Sequence, residues 1–323
     1  MRWIFGLSLI IGLIGTSRAD LPPAPEQPTV ILVVGAPGEE EFGKAFAHSA
    51  ELWQAACKQG GVKCVTIGLA PTNATTDLQQ LTQTLGSEAR ESAAELWLVL
   101  IGHGTYDGKE AKFNLRGPDF SATELAGWLQ PFKRPLAVLD CSASSAPFMA
   151  HLKGTNRVVI TATRSGSEEN YARFGNFLAE AVADPAADLD KDGQTSLLEA
   201  FLMASRRTTE FYETANRLAT EHPLLDDNGD GLGTPADWFR GVRAIKKARD
   251  GASLDGFRAH QFHLVRSAQE QQLPPAQRQR RDELEIAINH LRETKAKLPE
   301  DEYYQRLEKL MVEIAHLNAP PKE

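Results

Sequence analysis

Two kinds of hydrophobic pattern alternate along this chain. Short continuous apolar runs occupy residues 29–34, 63–68, 95–101, 136–140 and 157–163. Runs of that length bounded by glycine, proline or small polar residues predict strands buried on both faces. Between them the apolar positions recur three and four apart. Phe42, Phe46, Leu52, Trp53 and Ala56 share one face of a segment spanning 39–59, and Leu78, Leu81 and Leu85 share one face of 76–85. Ser121-Ala-Thr-Glu124 is a capping box that opens a helix running to Leu129, and short helical patterns follow at 148–152 and 170–182. Alternation of strand and helix predicts an α/β fold, a mostly parallel sheet with crossover helices on its faces. Residues 29–245 form that domain in this reading.

Beyond residue 245 the pattern changes. Gln269 to Gln279 is glutamine-rich around Pro274-Pro275. Leu284, Ile288, Leu291, Lys295 and Leu298 then repeat at helical spacing, Pro299 interrupts, and Tyr303, Leu307, Leu310, Ile314 and Leu317 resume. Residues 246–323 are therefore expected to be a helical C-terminal region built on a hairpin, packed against the main domain or used for self-association.

The beginning of the chain has a third character. Met1-Arg-Trp is basic, residues 4–14 are almost wholly apolar, and Thr16-Ser-Arg-Ala19 precedes Asp20. A basic start, a short apolar run and small residues at a cut point are a secretory signal peptide, with cleavage expected after Ala19. The apolar run is short for a transmembrane span. Pro-rich residues 20–28 then act as a linker. The protein is expected to be secreted or periplasmic. Loss of Arg2 and Arg18 would make an already acidic chain, formally -8, more so. That charge is a poor match to nucleic acid, which is bound through basic patches, and suits cations.

Three cysteines in an exported chain is an odd number. Cys57 and Cys64 flank a Gly60-Gly61 turn and can pair across it or stay free. Cys141 is the remaining thiol, at the end of an apolar run and beside Ser142, Ser144 and Ser145. The other run, Glu95-Leu-Trp-Leu-Val-Leu-Ile-Gly, ends in His103 and Gly104. In open parallel sheets, ligands bind beyond the carboxyl ends of the strands. A thiol and an imidazole at such ends are the parts of a cysteine nucleophile with its acid/base partner. A buried inert cysteine and a structural histidine are the plain alternatives.

Two loops carry the spacing of a calcium site. Asp188, Asp190, Asp192, Gln194, Ser196 and Glu199 fall at positions 1, 3, 5, 7, 9 and 12 of the first, with Gly193 at position 6. Gln194 would offer its backbone carbonyl and Glu199 both carboxylate oxygens. Asp226, Asn228, Asp230, Leu232, Thr234 and Asp237 repeat the pattern, with a shorter acid at position 12 and Pro235 just before it. The expected cofactor is structural Ca²⁺, and the loops are expected to pin the two ends of a helix over 197–220. A solvated acidic loop is the alternative.

Gly102-His103-Gly104 and Leu139-Asp140-Cys141-Ser142-Ala143-Ser144, each after an apolar run and with 38 residues from histidine to cysteine, resemble the legumain-type family of the caspase–legumain superfamily of cysteine peptidases. Val159-Ile-Thr-Ala-Thr163, followed by Glu168 and Tyr171-Ala172, is similar to the family's next strand. The likeness spans residues 29–182. It implies a caspase-like, mostly parallel sheet flanked by helices, and hydrolysis of protein or peptide substrates through a thioester. Cys141 would be the nucleophile and His103 the general acid/base, with the backbone N–H groups of Gly104 and Cys141 as the oxyanion hole. The family's acidic residue two before the cysteine is Leu139 here, its Arg-His pair falls on Lys44-Ala45, and two serines become Glu169-Asn170. Lys44, Asp140 and Glu169 are the candidate pocket residues, and Glu169 implies a basic P1 side chain. A catalytically inactive binding module, and a transpeptidase or ligase using the same thioester, are the competing readings.

Overall fold

The computed structural model describes residues 27–71 and 74–317. The proposed signal peptide and nearly all of the linker lie outside the described residues. The first half of the chain runs β1 (Thr29–Val34), α1 (Glu40–Gly60), β2 (Lys63–Ile67), α2 (Asp77–Ser87) and β3 (Leu96–Ile101). A small antiparallel sheet of β4 (Gly104–Tyr106), β5 (Ala111–Phe113) and β6 (Phe120–Ser121) follows, then α3 (Ala122–Leu129), β7 (Leu136–Asp140), α4 (Ala146–Leu152), β8 (Arg157–Thr161) and α5 (Phe174–Ala181). After α6 (Leu197–Thr214) come β9 (Leu224–Asp226), β10 (Thr234–Pro235), the two-residue strands β11 (Phe239–Arg240) and β12 (Arg243–Ala244), and helices α7 (Ala268–Gln272), α8 (Pro275–Glu293) and α9 (Glu300–Leu317).

The main sheet has the order β10-β9-β8-β7-β3-β1-β2. Its five strands from β2 to β8 are mutually parallel, and β9 and β10 add antiparallel pairs at one edge. The mostly parallel sheet between helices is the fold class predicted from the alternation of patterns. The central strands are apolar without a break because both faces are covered. Successive side chains alternate between the faces. Val30, Leu32, Trp97, Val99, Ile101, Ala137, Leu139 and Cys141 point into one core with α1, α5 and α6, whereas Ile31, Val33, Leu98, Leu100 and Val138 point into the other. Capping boxes at Thr76, Ser121 and Ser196 satisfy the free N–H groups that open α2, α3 and α6.

Several boundaries differ from the sequence expectation. α5 begins at Phe174 rather than near 170, and α6 stops at Thr214 rather than reaching 220. The change of composition at residue 245 does not coincide with a change of packing. Ala259, Phe262 and Leu264 are buried in the α1-side core, and Phe262 stacks edge-on against Trp97 at 5.5 Å. The hairpin proper is α8 and α9; α8 stops at Glu293, short of the break expected at Pro299, a 3₁₀ turn covers Lys295–Lys297, and α9 starts directly after the proline. Among the described residues no helix is long and apolar enough to cross a membrane.

Candidate active site

Strand register brings His103 and Cys141 together. β3 and β7 are adjacent and parallel, with Leu100 opposite Asp140. Cys141 follows β7 directly and His103 lies two residues beyond the end of β3. Ile101 and Leu139 point to the α1 face, and two further residues along each chain restore the same parity. Both reactive side chains therefore leave neighbouring strand tips on one face of the sheet.

The His103 ring is held by aromatic edges and one hydrogen bond. Phe42 and Phe46 of α1 meet it edge-on at 4.8 and 5.1 Å, and Tyr171 stands at 6.2 Å. Its Nε2 lies 3.2 Å from the carbonyl oxygen of Pro37 in the loop after β1. A carbonyl can only accept, so Nε2 carries the proton and Nδ1 is left as the basic nitrogen. The Pro37 carbonyl was not legible in the sequence, because any residue supplies one. Gly104 pairs with Phe113 in the wide, non-hydrogen-bonded position of its ladder, flanked by the bond from Asn114 N–H to His103 O. Its own N–H is thus not engaged in the ladder, as an oxyanion donor requires. A Cβ at Gly104 would stand 2.3 Å from the Ala143 carbonyl oxygen and 2.7 Å from Ser142 Oγ. Glycine is needed here for close approach to the cysteine loop.

Cys141 is sealed, with 5% of its surface exposed. Gly175, in the first turn of α5, covers it so closely that a Cβ there would lie 2.5 Å from the cysteine Cβ. Burial, followed by the charges of Asp140 and Glu221, pushes the thiol above its usual range. The Cys141 N–H donates to the Leu100 carbonyl at 3.0 Å, continuing the parallel ladder one residue past β7. This corrects the expectation that it serves the oxyanion hole: in this conformation it is engaged by the sheet.

The cover over Cys141 is tied down from residues 220–222, which sequence reasoning passed over. Glu221 accepts from the N–H groups of Arg173 and Phe174 at 2.9 and 2.8 Å, holding the start of α5, and from Tyr212 Oη at 2.9 Å. His222 Nδ1 meets Glu168 Oε1 at 2.5 Å. The Glu168 carbonyl accepts from Ser144 N–H at 2.8 Å, and Ser144 sits at a φ of 54°. The strap over 164–174 and the cysteine loop are thereby locked to each other.

Of the three candidate pocket residues, only Glu169 is exposed on the strap beside the site. Lys44 is on the outer face of α1, 200° around the helix from Phe42 and Phe46 by the 3.6-residue turn, where it pairs with Glu40 at 2.7 Å. It does not line the site. Asp140 follows the opposite parity to Cys141 and is fully buried on the other side of the sheet. One oxygen accepts from Ser142 N–H and Oγ at 3.1 and 2.6 Å, and the other has no partner. Desolvation pushes its carboxyl up to about 7. An unfolded aspartate titrates near ~3.9. Between those values the folded state holds the extra proton, so this group favours folding at low pH and its contribution is lost as pH rises from about 4 to about 7. Asp140→Asn is expected to flatten the urea-measured stability of the protein across that interval relative to wild type. An identical slope would mean that the carboxyl is ionised throughout.

The two candidate cation loops share one internal wiring. In the first, Asp188 accepts from Lys191 and Gly193 N–H, Asp190 from Asp192 N–H, and Asp192 from Gln194 N–H. In the second, Asp226 accepts from Gly229 and Gly231 N–H, Asn228 from Asp230 N–H, and Asp230 from Leu232 N–H. The first loop closes as its spacing predicts. Glu199 is buried, bridges back to the Leu189 and Asp190 N–H groups, and shares with Ser196 the capping box of α6. Ligand atoms of Asp188, Asp190 and Asp192 lie within 4.8 Å of one another, as do those of Asp190, Glu199 and His260. That oxygen-rich set fits a hard divalent cation. The second loop does not close through Asp237. Thr234-Pro235 pairs as a strand with β9, which carries Asp237 onto an exposed 3₁₀ turn outside the ring. Asp255 stands there instead, accepting from Asp227 and Asn228 N–H and from Thr234 Oγ1. Burial and the neighbouring Asp227 push Asp255 up to about 8.

No family model and no curated protein sequence matches the chain. Solved structures similar to it include the Drosophila initiator caspase Dronc, at 15% identity and a TM-score of 0.38, covering 62% of this chain and 79% of that one. Caspase-1 from Spodoptera frugiperda is similar at 10% identity and a TM-score of 0.41, covering 62% of this chain and 86% of that one. The fold itself is defined by the strand ladders described above, not by these likenesses.

Proposed function

We propose that this protein is an exported cysteine endopeptidase of the caspase–legumain type, working through Cys141 and His103 and stabilised by calcium. The observation that carries the reading is the shared parity of the two side chains at adjacent strand tips, with His103 fixed in the tautomer that leaves Nδ1 basic. In this mechanism the Cys141 sulfur bonds to the substrate carbonyl carbon and His103 takes the thiol proton. His103 then delivers that proton to the leaving amine as the C–N bond breaks. Water attacks the resulting thioester, releasing the acid and restoring the thiol. Gly104 N–H stabilises the carbonyl oxygen as it becomes negative.

The described conformation is latent in this account. The thiol is covered by Gly175 and held in its neutral form by burial, so the strap over 164–174 must lift for substrate to reach it. The same burial favours a second reading, a binding module whose cysteine is a core residue. Fluorogenic peptides varied at P1 separate the two. The peptidase reading expects turnover, with Lys or Arg preferred at P1 and the preference lost in Glu169→Gln. Absence of turnover by any peptide, with the strap released by Glu221→Gln, would favour the binding module. Export is tested by the N-terminus of secreted protein, expected at Asp20.

Calcium supplies charge neutralisation and cross-linking of the carboxylates in the 188–199 loop. Asp188, Asp190, Asp192 and Glu199 would hold it with the Gln194 carbonyl. A ligand bound only by the folded state at a hundredfold excess over its dissociation constant stabilises by ~2.7 kcal/mol. Adding calcium to the chelated protein is therefore expected to raise Tm by several degrees, and Glu199→Gln to remove most of the rise. An unmoved Tm would overturn the calcium assignment.

A further inference from the structure

The function above makes no use of Cys57 and Cys64. Cys57 sits in the last turn of α1, buried in the core on that side of the sheet. The helix ends at once. Gly61 takes the left-handed conformation at φ 65°, and Val62 N–H closes back on the Cys57 carbonyl at 2.9 Å. The chain therefore reverses and enters β2, whose second residue is Cys64, packed against the same core. Cys57 from the helix and Cys64 from the strand thus face the same core on the two sides of this reversal. Cys64 is the more accessible of the pair, Cys57 being almost wholly enclosed.

From this placement we infer that Cys57 and Cys64 are an oxidisable pair, converted to an intramolecular disulfide by small-molecule disulfides such as oxidised glutathione. The reaction starts at Cys64. The neighbouring Cys57 holds the Cys64 thiol below its usual range, which raises its thiolate fraction near neutral pH. Cys64 sulfur attacks one sulfur of the external disulfide, forming a mixed disulfide and expelling one thiolate. Cys57 loses its proton to solvent and attacks the Cys64 sulfur, expelling the second. Two protein thiols and one disulfide become one protein disulfide and two small thiols, so atoms and electrons balance. Cys141 does not compete, because Gly175 covers it. The bond would staple the end of α1 to β2 and so fix the helix whose Phe42 and Phe46 hold the His103 ring. The pair stands whether or not the protein is a peptidase.

The test is a thiol count on the full chain after incubation with oxidised glutathione and unfolding in denaturant with a maleimide. Of the three cysteines, one is expected to react, with an intact mass lower by two hydrogens before labelling. Trypsin cuts after Lys58 and Lys63, so a non-reducing digest should hold the Cys57 and Cys64 peptides as one species that separates on reduction. Cys57→Ser is expected to stop at a persistent glutathione adduct on Cys64. Three reactive thiols in the wild type, or a wild-type adduct on Cys64 that does not resolve, would overturn the inference.

Discussion

Cys141→Ala is expected to lower peptide turnover by at least about a thousandfold while leaving the protein folded. Removal of a covalent nucleophile leaves only binding and oxyanion stabilisation to accelerate the reaction. Alanine keeps the Cβ that packs under Gly175 and deletes only the sulfur. The loss therefore belongs to chemistry and not to a collapsed core, and a thermal melt of the variant separates the two. A variant that melts like wild type and still turns over substrate would remove Cys141 from the mechanism. A variant that unfolds would reassign the residue to the core.

Gly104→Ala is the second large effect, and it acts without removing any functional group. The new methyl would lie 2.3 Å from the Ala143 carbonyl oxygen, a backbone atom that cannot rotate away. Either the His-Gly turn or the cysteine loop must move by several tenths of an ångström. In both cases the Gly104 N–H loses its alignment with the carbonyl of a substrate attacked by Cys141. Loss of one oxyanion donor costs about 10²–10³ in kcat, and a loss of that size with little change in KM is expected. A fall in affinity alone, with kcat retained, would show that Gly104 shapes the pocket and not the transition state.

The sheet was legible because its strands are fully buried. An unbroken apolar run bounded by Gly35, Gly102 or Ser142 admits few other readings, and the register then follows from packing. His103 and Cys141 were legible for the same reason, each being the first reactive side chain past such a run. What surrounds them was not. Pro37 contributes a backbone carbonyl, Gly175 contributes the absence of a side chain, and Glu221 reaches the site from beyond α6. None of these carries a local signature, since each depends on tertiary packing of segments far apart in the chain. Asp140 illustrates the complementary error. It is adjacent to the cysteine in sequence, yet the two-residue period of a strand sends it to the opposite face.

The two candidate cation loops differ in how the chain completes them. In the first, Glu199 folds back onto the loop because it lies on the first turn of α6, continuous with it. In the second, Thr234-Pro235 pairs as an edge strand and only a 3₁₀ turn follows, so Asp237 is not carried back over the loop. Asp255, far downstream, fills the space that Asp237 was expected to occupy.

The central claim is that Cys141 is a nucleophile served by His103. It is tested most directly by intact-mass labelling with a panel of acyloxymethyl ketones, with calcium present, on wild type, Cys141→Ala and His103→Ala. The account predicts one adduct on wild type, mapped to Cys141, absent from Cys141→Ala and strongly slowed in His103→Ala. Labelling confined to Cys64, or none at Cys141 even with the strap released by Glu221→Gln, would contradict it.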